Sequence, residues 1–121
     1  MNKYTRFFET MEARSRAGEE FPTGMGYAHR AWWKSKQHGS DIFECETMPF
    51  ERDMHDFVNT LGAAGVTRFA VTEKSTALLD DMHCLASLGC SLEGLGKVIR
   101  TEERYGETET YTLPAVIFTL S

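Results

Sequence analysis

Carboxylates, histidines and cysteines fall together at a few places in the chain, and each grouping suggests a chemistry. Glu51, Asp53, His55 and Asp56 form one cluster, and Asp80, Asp81 and His83 form another. Brought together, such side chains could hold Mg²⁺ through hard oxygen ligands for phosphoryl-transfer or nuclease chemistry. His83, Cys84 and Cys90, with Cys45 or His55 as a fourth ligand, offer nitrogen and sulfur donors to zinc. The spacings argue against both. There is no Cys-x-x-Cys pair, and adjacent His83 and Cys84 diverge on a helix. The acidic clusters are explained by solvated helix faces. The sequence therefore assigns no catalytic residue, metal ligand or cofactor. Asp53, His55, Asp80 and His83 are the set on which an alternative reading, a small metal-assisted nuclease or hydrolase, would be built.

A cysteine nucleophile requires a thiolate beside a base, with a third group orienting that base, and Cys45, Cys84 and Cys90 all stand among residues that read as core. Lys74-Ser75-Thr76 precedes a helix and has the outline of a phosphate cradle. The glycines of G-x-x-x-x-G-K-[ST] are absent, so a single anion at the helix start is the most it could hold. Recognition chemistry remains. Trp32 and Trp33 lie beside Arg30, Lys34 and Lys36, and an aromatic among cationic side chains can anchor a protein interface or stack on a base. Neighbouring helical positions point about 100° apart, so one tryptophan belongs to the core and the other to a rim.

Charge selects the partner. Eighteen acidic residues against 13 basic ones give a formal net charge of −5, whereas coating nucleic acid requires a basic surface. A protein partner is therefore favoured. An accessory nucleic-acid-binding role through Arg30, Lys34 and Lys36 is the lesser reading. An acidic protein is also complementary to a basic partner surface, including one that normally holds nucleic acid.

The elements that must position these residues are organised around Gly65 to Gly89. Phe69 and Val71 alternate with Arg68, Ala70 and Thr72 as in a half-buried strand, and Leu78, Met82 and Leu85 recur at helical spacing up to Gly89. Ser75 or Thr76 is the expected N-cap. Upstream, Tyr4, Phe7, Phe8 and Met11 mark a helix over residues 2–17, and Ala28, Ala31 and Trp32 mark a second over 25–37 with Gly39 as its stop. Residues 41–46 read as a strand covered on one side or protected as an edge by its charges. Met54, Phe57, Val58 and Leu61 give a helix ending at 62–65. Residues 94–101 and 111–120 form two further strands around a turn at 104–108, with Pro114 implying a bulge or an edge.

The expected fold is α/β in the broad sense (α+β). A mixed four-stranded sheet contains a βαβ unit with a right-handed crossover and a C-terminal antiparallel hairpin, preceded by two N-terminal helices. At 121 residues, with 41% hydrophobic and 26% charged positions, one domain is expected over 1–121: a helical segment at 1–39 and an α/β core at 40–121. No apolar run approaches the roughly 20 residues of a membrane span. Residues 1–17 lack the apolar core of a signal peptide, and three cysteines are an odd number. Reduced thiols and a cytoplasmic location are expected.

Phe57-Val58-Asn59-Thr60-Leu61, Ala64-Gly65-Val66-Thr67-Arg68-Phe69, Thr72 to Leu79, and Gly94-Leu95-Gly96 together resemble small proteins encoded on phages and conjugative elements of Gram-positive gut bacteria. The matching positions are structural, so the resemblance carries no catalytic or binding residue over. Proteins of that setting include small acidic inhibitors of host defence, among them anti-CRISPR proteins, to which this chain is similar in size and charge. The missing catalytic motif, the negative charge and the compact size point to a non-catalytic protein-binding module, and the resemblance implies an inhibitor or adaptor of mobile-element origin.

Overall fold

Apolar spacing and glycine stops account for most of the elements. A computed structural model describes residues 3–120, Lys3 by its backbone alone, as α1 (Lys3–Arg16), α2 (Thr23–His38), β1 (Phe43–Cys45), α3 (Glu51–Ala64), β2 (Arg68–Val71), α4 (Leu78–Ser87), β3 (Ser91–Arg104) and β4 (Glu107–Thr119). In α3, Met54, Phe57, Val58, Leu61 and Ala64 are buried at three- and four-residue steps. Gly65 then turns left-handed at φ 93, and its N–H donates to the Gly62 carbonyl at 3.1 Å. The sheet order is β1-β2-β4-β3. β1 and β2 are parallel neighbours joined through α3, and the remaining pairs are antiparallel.

One face of the sheet meets the helices. Phe43, Phe69 and Phe118 from the strands are buried with Phe8 and Met11 of α1, Ala28 and Trp32 of α2, and Phe57 and Leu61 of α3 in one apolar cluster. Phe8 stacks on Trp32 at 5.6 Å between ring centroids, and Phe69 on Phe118 at 5.7 Å. Each such side chain contributes roughly 1.5–3 kcal/mol.

The other face is closed by curvature. Ala70, Val98, Ala115 and Ile117 form a second small core there. The segment just ahead of β1 bonds to the far strand: Asp41 N–H donates to Ile99 O at 3.0 Å, Thr101 N–H to Gly39 O at 3.3 Å, and Ile99 N–H to Asp41 Oδ1 at 2.8 Å. The sheet thus wraps toward itself. Gly94, at φ 147, bends β3 where the register shifts between Leu92 and Gly94. Gly39 ends α2 at φ 58, and a Cβ there would lie 2.2 Å from the Thr101 carbonyl oxygen.

Several local expectations are revised. Ala77, not Ser75 or Thr76, precedes α4 as its cap, and no side chain caps it. Ser75 Oγ accepts the Ala77 N–H at 3.1 Å, two residues ahead of the cap position. β1 spans three residues, all buried, so Glu44 is no solvated guard on an edge. Pro114 lies in β4, an inner strand, but β2 reaches β4 only at Val116 to Thr119. Pro114 therefore stands where, among the described residues, β3 is the only strand neighbour and a missing donor is tolerated. Among the described residues, no helix is long and apolar enough to cross a membrane.

Candidate functional site

Inside the curled sheet lies an ion pair that anchors the β3–β4 hairpin. Glu44, 1% exposed on β1, faces Arg100 on β3. Arg100 donates through Nε to Glu44 Oε1 at 2.9 Å and through its Nη2 to Oε2. Ser40 and Thr72 hydroxyls complete the carboxylate's shell at 2.8 and 2.6 Å. Burial alone would push Glu44 up; the donations from Arg100, Thr72 and Ser40 outweigh it and hold the carboxyl below its usual range. Fully satisfied in this way, the pair positions structure.

From it a polar chain runs outward. Arg100 Nη1 donates to the Tyr111 hydroxyl at 3.5 Å, and His38 Nδ1, at the end of α2, donates to Glu102 Oε1 at 2.7 Å. His38, Tyr111 and Arg104 together hold the Glu102 carboxyl below its usual range. The hairpin base is thereby tied to α2.

Past Thr101 on β3 and before Val116 on β4, the two strands pair with each other alone among the described residues. This projecting arm turns through Tyr105 and Gly106, at φ 52 and 81, between paired Arg104 and Glu107. Two consecutive positive φ values define the tight hairpin turn whose preferred first residue is Asn, Asp or Gly. Tyr105 is instead the described non-glycine residue at positive φ, and its side chain is fully exposed. Glu103, Glu107 and Glu109 around it are exposed as well. Glu102 sits directly opposite Glu109, a like-charge pairing that weakens a hairpin.

The residues that the sequence singled out lie on α2, next to the arm's base. Trp32 is 3% exposed and belongs to the core, its Nε1–H donating to Thr5 Oγ1 at 3.4 Å, with Lys36 Nζ 5.4 Å from its ring centroid. Trp33 is 42% exposed, with Lys34 Nζ 6.0 Å from its ring. Arg30 and Lys36 are exposed. The pair thus divides between core and rim, and Trp33 is the member that a partner could touch.

A cleft of about 550 Å³ opens between the start of α3, the loop after β2, and α4. Asp80 and His83 line it; Asp53 and His55 do not. The nuclease constellation is therefore not assembled in one place. Instead, Glu73 and Asp81 meet there, a pairing that sequence reasoning missed. Glu73 accepts the Met48 N–H at 2.8 Å and the Ser75 hydroxyl at 3.0 Å. Burial, together with the adjoining Glu73 and Asp80 carboxylates, pushes Asp81 up to about 7. The spacing held a clue. Asp81 is three residues from Leu78 and four from Leu85, on the apolar stripe of α4.

Among the described residues, no group of three or more His, Cys, Asp and Glu side chains is arranged to hold a metal ion. The three cysteines are free, and burial pushes each thiol up, most of all at Cys45. That opposes the thiolate a nucleophile needs.

A family model described as Domain of unknown function (DUF7698) matches residues 27–120, from the first turns of α2 to the end of the sheet. No curated protein and no solved structure matches the chain.

Proposed function

The chain belongs to the DUF7698 family, a domain of unknown function, and we propose that it is a non-catalytic protein-binding module whose β3–β4 arm enters a basic surface of its partner. The conformation of Tyr105 carries this reading: a fully exposed aromatic side chain sits at φ 52, where the turn itself would favour asparagine or glycine. Strain of this kind, of order 1 kcal/mol, persists where the residue serves something other than the fold. The exposed glutamates flanking it, Glu103, Glu107 and Glu109, favour a cationic partner surface. On α2, Trp33 with Arg30, Lys34 and Lys36 offers a second contact, to a part of the partner that is not itself cationic.

In its most specific form, the module is an acidic inhibitor from a mobile element, of anti-CRISPR type, that acts in the cytoplasm by occupying the nucleic-acid groove of a host defence complex. The test is capture from host lysate, followed by titration of the captured protein with wild type and with Tyr105→Asn. The expected partner is basic, is displaced by added nucleic acid, and binds Tyr105→Asn at least tenfold more weakly. Equal affinity for both proteins, or a partner indifferent to nucleic acid, overturns the reading.

A second reading has one observation in its favour. Asp81, with its carboxyl raised beside Glu73, has the proton affinity of a general acid–base group near neutrality. The enzyme alternative therefore rests on that pair, in place of Asp53, His55, Asp80 and His83. Hydrolysis of a nucleic-acid or ester substrate that Asp81→Asn abolishes, with the fold intact, would select it.

A further inference from the structure

The cleft beside α4 gathers hydrogen-bond acceptors. Asp81 is 8% exposed, its Oδ2 meets no donor among the described residues, and its polar neighbour is the carboxyl of Glu73. Two acceptors face each other at the bottom of an open cleft. Glu51 at the start of α3, and Asp80, His83 and Cys84 on α4, line the same space, with no lysine or arginine among the lining residues. Arg52, next to the lining residue Glu51, lies over the Phe50 ring at 5.6 Å and reaches Asp53 at 3.6 Å. Phe50 also lines the cleft and, at 70% exposed, presents apolar surface to it, while Met48 and Pro49 behind it are buried.

We propose that this cleft binds a primary alkylammonium group, whose N–H donors reach the Asp81 and Glu73 carboxylates in place of the proton these share while its stem lies over Phe50. The shape of the site selects that ligand. A compact –NH₃⁺ with three donors on a thin apolar stem can reach a carboxylate that is almost fully covered, whereas a planar guanidinium is broader and rigid. A divalent cation would need several converging oxygen ligands, and the described side chains are not grouped to supply them. Two sources share the chemistry: the lysine side chain of a protein, and a free aliphatic polyamine.

Binding is linked to protons. With Asp81 titrating at about 7, the unliganded pair holds one proton at pH 6 and has lost most of it at pH 8. An ammonium must displace that proton, so affinity rises about tenfold from pH 6 to pH 8, with about one proton released per site at pH 6 and about a tenth of one at pH 8. An alkylammonium, with a pKa near 10.4, stays charged at both values.

The test is calorimetric titration of the full chain with butane-1,4-diamine and, separately, with a capped lysine amide, at pH 6 and 8 in buffers of differing ionisation enthalpy. The expected result is saturable binding that tightens about tenfold with pH and releases protons at pH 6. Preference for the capped lysine identifies a protein side chain as the source, and preference for the diamine a free polyamine. Asp81→Asn and Glu73→Gln should each weaken binding at pH 8 at least tenfold, and Asp81→Asn should abolish the pH dependence. Absence of binding at millimolar amine, affinity independent of pH, tighter binding of Mg²⁺ or Ca²⁺ than of either amine, or unchanged binding in folded variants overturns the proposal. The wild-type pH dependence decides it even if a variant fails to fold.

Discussion

Tyr105 is a residue whose contribution to stability and proposed contribution to recognition have opposite signs. Replacing it with asparagine, which tolerates positive φ, should stabilise the protein by about 0.5–1 kcal/mol, as read by urea denaturation. Elsewhere single residues serve the fold. Glu44→Gln should destabilise by about 3–5 kcal/mol, because it leaves the Arg100 charge buried without its partner. Two carboxyls give the pH dependence opposite slopes. Glu44 is held low, so its contribution is present above the unfolded pKa and is lost as pH falls through its folded value. Asp81 is held high, at about 7, so its contribution is complete below about pH 4 and is lost as pH rises to 7. Thermal melting should show a maximum on the acid side of neutrality, and Asp81→Asn should flatten the decline between pH 5 and 7. A wild-type melting temperature that rises across that interval would contradict the position given to Asp81. Asp81 could have been found from its place on the apolar stripe of α4. Glu44 could not, because one-sided and two-sided burial of a three-residue strand give the same sequence pattern.

The helices followed from their spacing, since stripes of Phe, Leu and Met at three- and four-residue steps admit little else, and Gly39 and Gly65 stop α2 and α3 as expected. The parallel pairing of β1 and β2 followed from the α3 crossover. The curl of the sheet did not. It depends on backbone bonds between residues 39–41 and 99–101, which leave no mark on side-chain periodicity. Nor did the N-terminal reach of β3, which starts at Ser91, with only residues 88–90 between it and α4. Gly39 tests the closure. A Cβ at φ 58, 2.2 Å from the Thr101 carbonyl, cannot be accommodated while α2 and β3 keep their positions. Gly39→Ala should cost about 1–3 kcal/mol from its backbone alone and should raise amide exchange at Asp41, Ile99 and Thr101. Protection unchanged at those three amides would argue against the closed sheet.

At the scale of the molecule, charge is distributed with a direction. The α2 face carries Arg30, Lys34 and Lys36 beside Trp33, while the adjoining arm carries Glu103, Glu107 and Glu109. The net charge of −5 pointed to a basic partner, but the sequence offered Trp32 and Trp33 as the contact. Tyr105 and Gly106 read simply as a turn, because a positive φ is invisible until the register of β3 on β4 is known. If complementary charge steers association, the on-rate should fall severalfold as salt is raised from 50 to 300 mM, and charge reversal at Glu103 and Glu107 should remove most of that dependence. The most direct measurement is a paired one on Tyr105→Asn: unfolding free energy, and affinity for the captured partner. A recognition arm requires the variant to be at least as stable as wild type and to bind at least tenfold more weakly; a variant that is less stable, or that binds as tightly as wild type, contradicts it.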